Sequence, residues 1–122
     1  MTARIESLVK SNIQPPWNTV STGVGFQNSW TTFNASFEDA QFMKDTLGFV
    51  HVRGIIKDGT SGTTAFTLPV GYRALKTMEI PAITIAGVVG FTYIYANGDV
   101  VPNTADFSVT SYSFGEIVFS TL

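Results

Sequence analysis

A single histidine, His51, and the absence of cysteine limit the covalent chemistry open to this sequence. Cysteine–histidine catalysis is excluded, and a serine triad would have to turn on His51 without the Gly-x-Ser-x-Gly elbow that usually presents the nucleophile. Structural and catalytic zinc sites draw on several Cys or His ligands, and no acidic loop has calcium-hand spacing. No metal, no cofactor and no catalytic residue is therefore assigned. Glycoside hydrolysis needs two carboxyl groups facing each other across a sugar. Here Asp45, Asp58, Glu79, Asp99, Asp106 and Glu116 are isolated in sequence, and the adjacent Glu38 and Asp39 would point to opposite faces of a strand. The glycines at Gly59 and Gly62, and at Gly87 and Gly90, lack the lysine of a phosphate loop and read as turns.

What remains is binding chemistry. Aromatic rings stack on sugar faces, and Asn, Gln, Arg and Asp supply directional hydrogen bonds to hydroxyls, although the same rings also build a β-protein core. In the stretch Phe49 to Lys57 the period of two sends Val50, Val52 and Ile56 to one face and His51, Arg53, Phe49 and Ile55 to the other. If the first set is core, His51 and Arg53 meet a neighbour or a ligand outside. They are the polar members of a candidate saccharide site, with Trp30, Tyr93 and Tyr95 as candidate stacking groups; the alternative, that His51 and Arg53 stitch subunits together, stays open at this level.

The elements that must position these residues are strands. Asp58-Gly59 and the Thr/Ser/Gly run after it form a turn, and Thr64, Phe66 and Leu68 resume the alternation, so residues 48–73 read as a β-hairpin closed by a Pro69-Val70-Gly71 corner. Proline fixes φ there and glycine permits a positive φ directly afterwards. Upstream, Ile5, Leu8 and Val9 fall at helical spacing until Pro15-Pro16, giving residues 1–16 as a tail or short helix and 17–122 as one domain. Trp17, Phe26, Trp30 and Phe33 anchor short strands and loops. Phe37 to Leu47 reads as a strand, with a helical turn as the competing reading. Downstream, Leu75 to Ile80 is extended and Ala82 to Val89 is a β-branched run. Phe91, Tyr93 and Tyr95 share a face opposite Thr92 and Ile94 before an Asn97-Gly98 hairpin turn. Ala105 to Tyr112 alternates, and Phe114 to Ser120 sets Ile117 and Phe119 opposite Glu116 and Val118. About eight or nine short strands separated by Gly, Asn, Asp and Pro turns make an all-β antiparallel sandwich, jelly-roll-like, rather than a parallel α/β sheet.

Composition narrows the partners. At 122 residues, net charge −2 and 13% charged residues, the chain lacks the clustered Lys and Arg that a phosphate backbone requires, so nucleic acid is not an expected partner. No run reaches the roughly 20 apolar residues of a membrane span and no apolar signal core opens the chain, so neither membrane insertion nor a signal peptide is expected. Ten Phe, four Tyr and two Trp with so little charge point to a surface partly covered by other subunits.

Gly48-Phe-Val-His-Val-Arg-Gly54 followed by Phe66-Thr-Leu-Pro-Val-Gly-Tyr-Arg73 resembles the pattern of C-terminal head domains of bacteriophage tail fibre, baseplate and receptor-binding proteins. Trp17, the Gly25-Phe26-Gln27-Asn28 segment and Tyr93 to Asp99 resemble the same family in order along the chain, while Ala74 stands where the family usually has a second proline. The resemblance implies a homotrimeric β-sandwich head on the virion, made in the host cytoplasm, in contact with other tail or baseplate proteins and attaching to a cell-surface polysaccharide of a bacterial host. A structural domain without receptor contact, and an accessory domain of a polysaccharide-degrading enzyme, are the other functions considered.

Overall fold

The computed structural model describes residues 16–83, 87–104 and 111–122. They form strands β1 (Asn18–Thr19), β2 (Thr31–Thr32), β3 (Gln41–Lys44), β4 (Phe49–Lys57), β5 (Phe66–Thr67), β6 (Met78–Ile83), β7 (Val89–Ile94), β8 (Asp99–Thr104) and β9 (Tyr112–Ser120). Among the described residues there is no helix and every pairing is antiparallel. Residues 1–15 of the tail or short helix expected at the start, and residues 105–110 of the strand expected before Tyr112, lie outside the described residues.

The strands run in the order β1-β3-β4-β9-β6-β7-β8-β5, with β2 also on β4. In that order β3 and β5 stand six places apart, about 29 Å in a flat sheet at the usual strand spacing. Yet the rings of Phe42 on β3 and Phe66 on β5 stack at 6.3 Å. The sheet therefore curls until its first half faces its last, a sandwich-like β-fold. Between β6 and β9, where the halves meet edge to edge, the described pairing is Ile83 with Ser113 alone.

Alternation decides which side chains enter the core. Val50, Val52 and Ile56 on β4 are fully buried, as their parity predicted. On β9 the parity changes within the strand: Tyr112 and Phe114 are inside, and so are Ile117 and Phe119. A β-bulge accounts for this, since the step from Arg53 to Ile55 on β4 faces the longer step from Ser113 to Glu116 on β9. Gly115, at φ 60°, takes up the extra residue. Opposite it, Gly54 at φ 121° leaves room for the carbonyl of Asp39 and the backbone of Ala40, which any Cβ would strike.

Two expectations are corrected. The run from Phe49 to Leu68 is not a hairpin: β4 already has β3 and β2 on one edge and β9 on the other, and β5 crosses to pair with β8 instead. The β-branched run from Ala82 to Val89 is not one strand, because Ile83 ends β6, Val89 opens β7, and the two residues pair with each other. Two other turns match the expectation from sequence. Asn97-Gly98 joins β7 to β8, with Gly98 at φ 99°. Pro69 to Tyr72 closes with a 3.1 Å hydrogen bond from the Tyr72 N–H to the Pro69 carbonyl, with Gly71 at φ 95°, as in a type II turn.

A Cβ at Gly71 would meet nothing within 4 Å, so a substitution there isolates the conformational cost. Gly71→Val should lower stability by about 1 kcal/mol or more in thermal or urea unfolding. Gly54→Ala adds a backbone collision to the same kind of strain and should cost more than Gly71→Ala; equal losses at the two positions would contradict the packing described around Gly54.

Candidate functional site

The five residues singled out from sequence separate into three places. Trp30 is core, with 3% of its surface exposed, so the expectation that its ring stands outside as a stacking group is not met. The indole lies where a Cβ of Gly59 would be, its N–H donates to Thr63 Oγ1 at 3.1 Å, and its ring meets Tyr112 edge-on. A neighbouring glycine gives this large ring space, and a hydroxyl satisfies its polar edge inside the protein.

His51 and Arg53 do face outward together on β4, half-buried, as the parity argument required. Trp17, known from sequence only as an anchor, completes the group: the Arg53 guanidinium carbon sits 3.8 Å from its ring centre, and the His51 ring meets it edge-on at 6.4 Å. Stacking on indole suits a planar, weakly hydrated cation. Three carboxylates surround the pair. Arg53 Nε lies 3.3 Å from Glu38 Oε1, an ion contact without hydrogen-bond alignment, and both this N–H and that of Trp17 are buried without a hydrogen-bond partner among the described residues. His51 turns Nε2 to Asp45 at 2.9 Å and Nδ1 toward Glu116 at 3.9 Å. With both nitrogens directed at carboxylates, neither is aimed at a hydroxyl in the manner of a serine triad.

Asp45 is the keystone of this group. Its Oδ1 accepts from the N–H of Leu47 and of Phe49 at 2.9 and 3.0 Å, which shapes the β3–β4 turn, while Oδ2 accepts from His51. The same carboxylate thus fixes the turn and aims the imidazole. The His51 hydrogen bond, then that of the Phe49 amide, hold its carboxyl below the ordinary value of 3.8. Asp45-x-x-Gly48 was a readable turn signal, but its link to His51 depends on the side chain's second oxygen.

Tyr93 and Tyr95 lie elsewhere. Between β4 and β7 stand β9 and β6, so the two groups are separated by three strand spacings, about 14 Å before curvature is counted. The two tyrosine rings stack on each other, 6.3 Å apart at 27°. Partial desolvation and the neighbouring Glu79 carboxylate raise the Tyr93 phenol above its usual value. Phe91 and Tyr95 are each 39% exposed, and Pro81, Ile83 and Val89 continue the same outer face of β6 and β7. This is an aromatic and aliphatic platform with a carboxylate at one side. Among the described residues, no group of three or more His, Cys, Asp or Glu side chains could hold a metal ion, and no helix is long and apolar enough to cross a membrane.

No protein-family model and no curated protein matches the sequence. Among solved structures, the receptor binding protein (gp15) of Listeria phage PSA is similar, with a TM-score of 0.75 over 99% of this chain and 73% of that one, at 14% sequence identity. The chain shares that protein's fold. The likeness extends across both halves of the curled sheet and all three places described above, because nearly the whole chain is covered.

The Asp45 geometry gives a pH dependence of defined sign. A carboxyl whose value is lowered on folding stabilises the native state above 3.8, and this contribution is lost as pH falls through the lower folded value. Melting temperature followed from pH 6 down to about pH 2 should fall for the wild type, and Asp45→Asn should melt lower at neutral pH and show a shallower acid limb. Parallel curves for the two proteins would remove Asp45 from this role.

Proposed function

We propose that this chain is the host-contacting head domain of a phage tail or baseplate protein, carried on the virion, which attaches the particle to a cell-surface saccharide of a bacterial host. The observation that carries the reading is the fold shared with a phage receptor binding protein over 99% of the chain. The outward groups support a saccharide as the ligand. Tyr95 is exposed and Tyr93 half-buried beside it, with Glu79 alongside, and Arg53 offers a planar cation on the far side of β9 and β6. Rings cover the apolar faces of a pyranose, while charged groups bind its hydroxyls.

The assembly proposed is a homotrimer. Low net charge and the exposed Ile83, Val89 and Val118 favour contact with further copies, and several weak sites on one particle reach useful avidity together. A second reading, a structural tail or baseplate domain that touches no receptor, is favoured by one observation: His51 and Arg53 already contact Asp45, Glu116, Glu38 and Trp17 within the chain.

Binding of the purified domain to fractionated envelope glycans of a susceptible bacterium decides between them. Tyr95→Ala should weaken binding by about tenfold, the equivalent of one ring contact of roughly 1.4 kcal/mol, with melting unchanged. Arg53→Ala with lost binding and an intact oligomer supports the β4 group as part of the site. Dissociation of that variant, or full retention of binding, assigns Arg53 to structure. Light scattering at micromolar concentration should give the mass of three chains; a stable monomer would remove both the trimer and the avidity argument.

A further inference from the structure

The corner at Pro69 to Ala74 does more than reverse the chain. Beside it opens a cleft of about 410 Å³ whose lining includes Lys44, Gly71, Arg73, Ala74 and Leu75. Both cations there are held by backbone rather than by acids. Lys44 Nζ donates to the Gly71 carbonyl at 3.0 Å, and Arg73 Nε donates to the Leu68 carbonyl at 2.9 Å. No Asp or Glu side chain lines the cleft; Leu122 does, with the terminal carboxylate of this chain, but neither Lys44 nor Arg73 is in an ion pair among the described residues, where the pairs join His51 to Asp45 and Glu116 and Arg53 to Glu38.

This arrangement is unusual for a chain of net charge −2 with few charged residues. Two like charges on one cleft repel unless something negative lies between them, and a surface lysine or arginine normally swings toward a carboxylate or into water. Here each is tied in place. The Arg73 stem packs against Gly98, where a Cβ would come within 2.7 Å of Nε, and the bond from Nε to Leu68 orients the rest of the guanidinium. Its outer N–H groups keep their donor capacity, as does the Lys44 ammonium beyond its one carbonyl bond. A fork of donors oriented in advance, with a second cation on the same cleft, matches a tetrahedral or planar oxyanion. Ala74 and Leu75 supply an apolar wall for the carbon skeleton that carries such a group.

We propose that the cleft between Lys44 and Arg73 is a binding site for an anionic group, the phosphate or carboxylate of an acidic glycan. Assigning that glycan to the host envelope rests on the attachment function proposed above; anion binding by the cleft does not. The cleft shares no lining residue with the Arg53 and Tyr93 groups and adds charge selectivity to ring stacking, so that a neutral and an acidic polymer of the same sugars are distinguished.

The test is titration of the ¹⁵N-labelled domain, at constant ionic strength, with inorganic phosphate, glucose 1-phosphate, glucuronate and uncharged glucose in turn. Saturable amide shifts confined to Lys44 and residues 70–75 are expected with the anions and not with glucose. Stronger binding of glucose 1-phosphate identifies phosphate as the natural group, and stronger binding of glucuronate identifies carboxylate. Arg73 also fastens Leu68, so Lys44→Gln, which removes the charge and keeps an amide donor for the Gly71 carbonyl, is the deciding variant and should weaken anion binding by about tenfold at unchanged melting temperature. Shifts that are absent, do not saturate, scatter over the surface, or are equal in Lys44→Gln and wild type overturn the site. Saturable phosphate binding in a domain that takes up no envelope glycan would uphold the cleft and overturn the attachment function.

Discussion

The architecture closes on one side chain. Phe66, fully buried on the last strand of the sheet, stacks on Phe42 and meets Phe114 edge-on at 5.8 Å and Phe26 edge-on at 6.5 Å. Through these rings β5, at one end of the strand order, is held against β3 and β9 in the other half. Each such ring pair contributes about 0.5–1.5 kcal/mol beyond its burial, so the cluster is a substantial part of what keeps the sheet curled. Thr92 on β7 and Tyr112 on β9 add a buried 2.8 Å hydrogen bond between the halves, in surroundings that push the Tyr112 phenol up to about 12. Both groups would be costly to bury alone, and together they fix how the two halves register.

Curling separates the outer surfaces of the two halves. The polar group on β4 and the tyrosine platform on β7 both belong to faces turned away from the core, but three strand spacings and the curvature of the sheet lie between them. Their chemistry differs accordingly. The β4 group is largely balanced within itself, cation against carboxylate and indole, whereas the β7 platform presents rings whose described polar neighbour is Glu79. A fold with distinct surfaces of this kind can assign one to subunit contact and another to ligand without changing the framework.

The residues that carry the resemblance to phage head domains are chiefly framework residues. Phe66 and Leu68 are core, Pro69 to Gly71 make the turn, Tyr72 packs edge-on against Phe42 at 5.4 Å, and Arg73 ties down the Leu68 carbonyl beside Gly98. The Gly25 to Asn28 segment covers the free edge of β5, with Gln27 bonded to Ala65 and Thr67 and Asn28 to Thr64, which protects that edge from pairing with another chain. These turns, rings and edge contacts hold the framework together from within and at one edge, without drawing on the outer faces of β4 and β7.

Sequence alone determined what depends on local periodicity and local φ preference. The inward set of β4, the common face of Phe91, Tyr93 and Tyr95, the Ile117 and Phe119 parity, the Asn97-Gly98 hairpin and the Pro69-Val70-Gly71 corner were all legible, because side chains alternate with period two and only certain residues adopt positive φ. Tertiary structure decided the rest. That β5 joins β8 rather than β4 depends on which strand edges remain free, and β4 had both of its edges occupied by β2, β3 and β9. Trp30 lies inside because Gly59, far along the chain, leaves a space the size of an indole, and composition cannot report such a space. Asp45 with His51, Trp17 with Arg53, and Lys44 with Arg73 on one cleft are likewise products of register and curvature, which bring together side chains that no periodicity in the sequence connects.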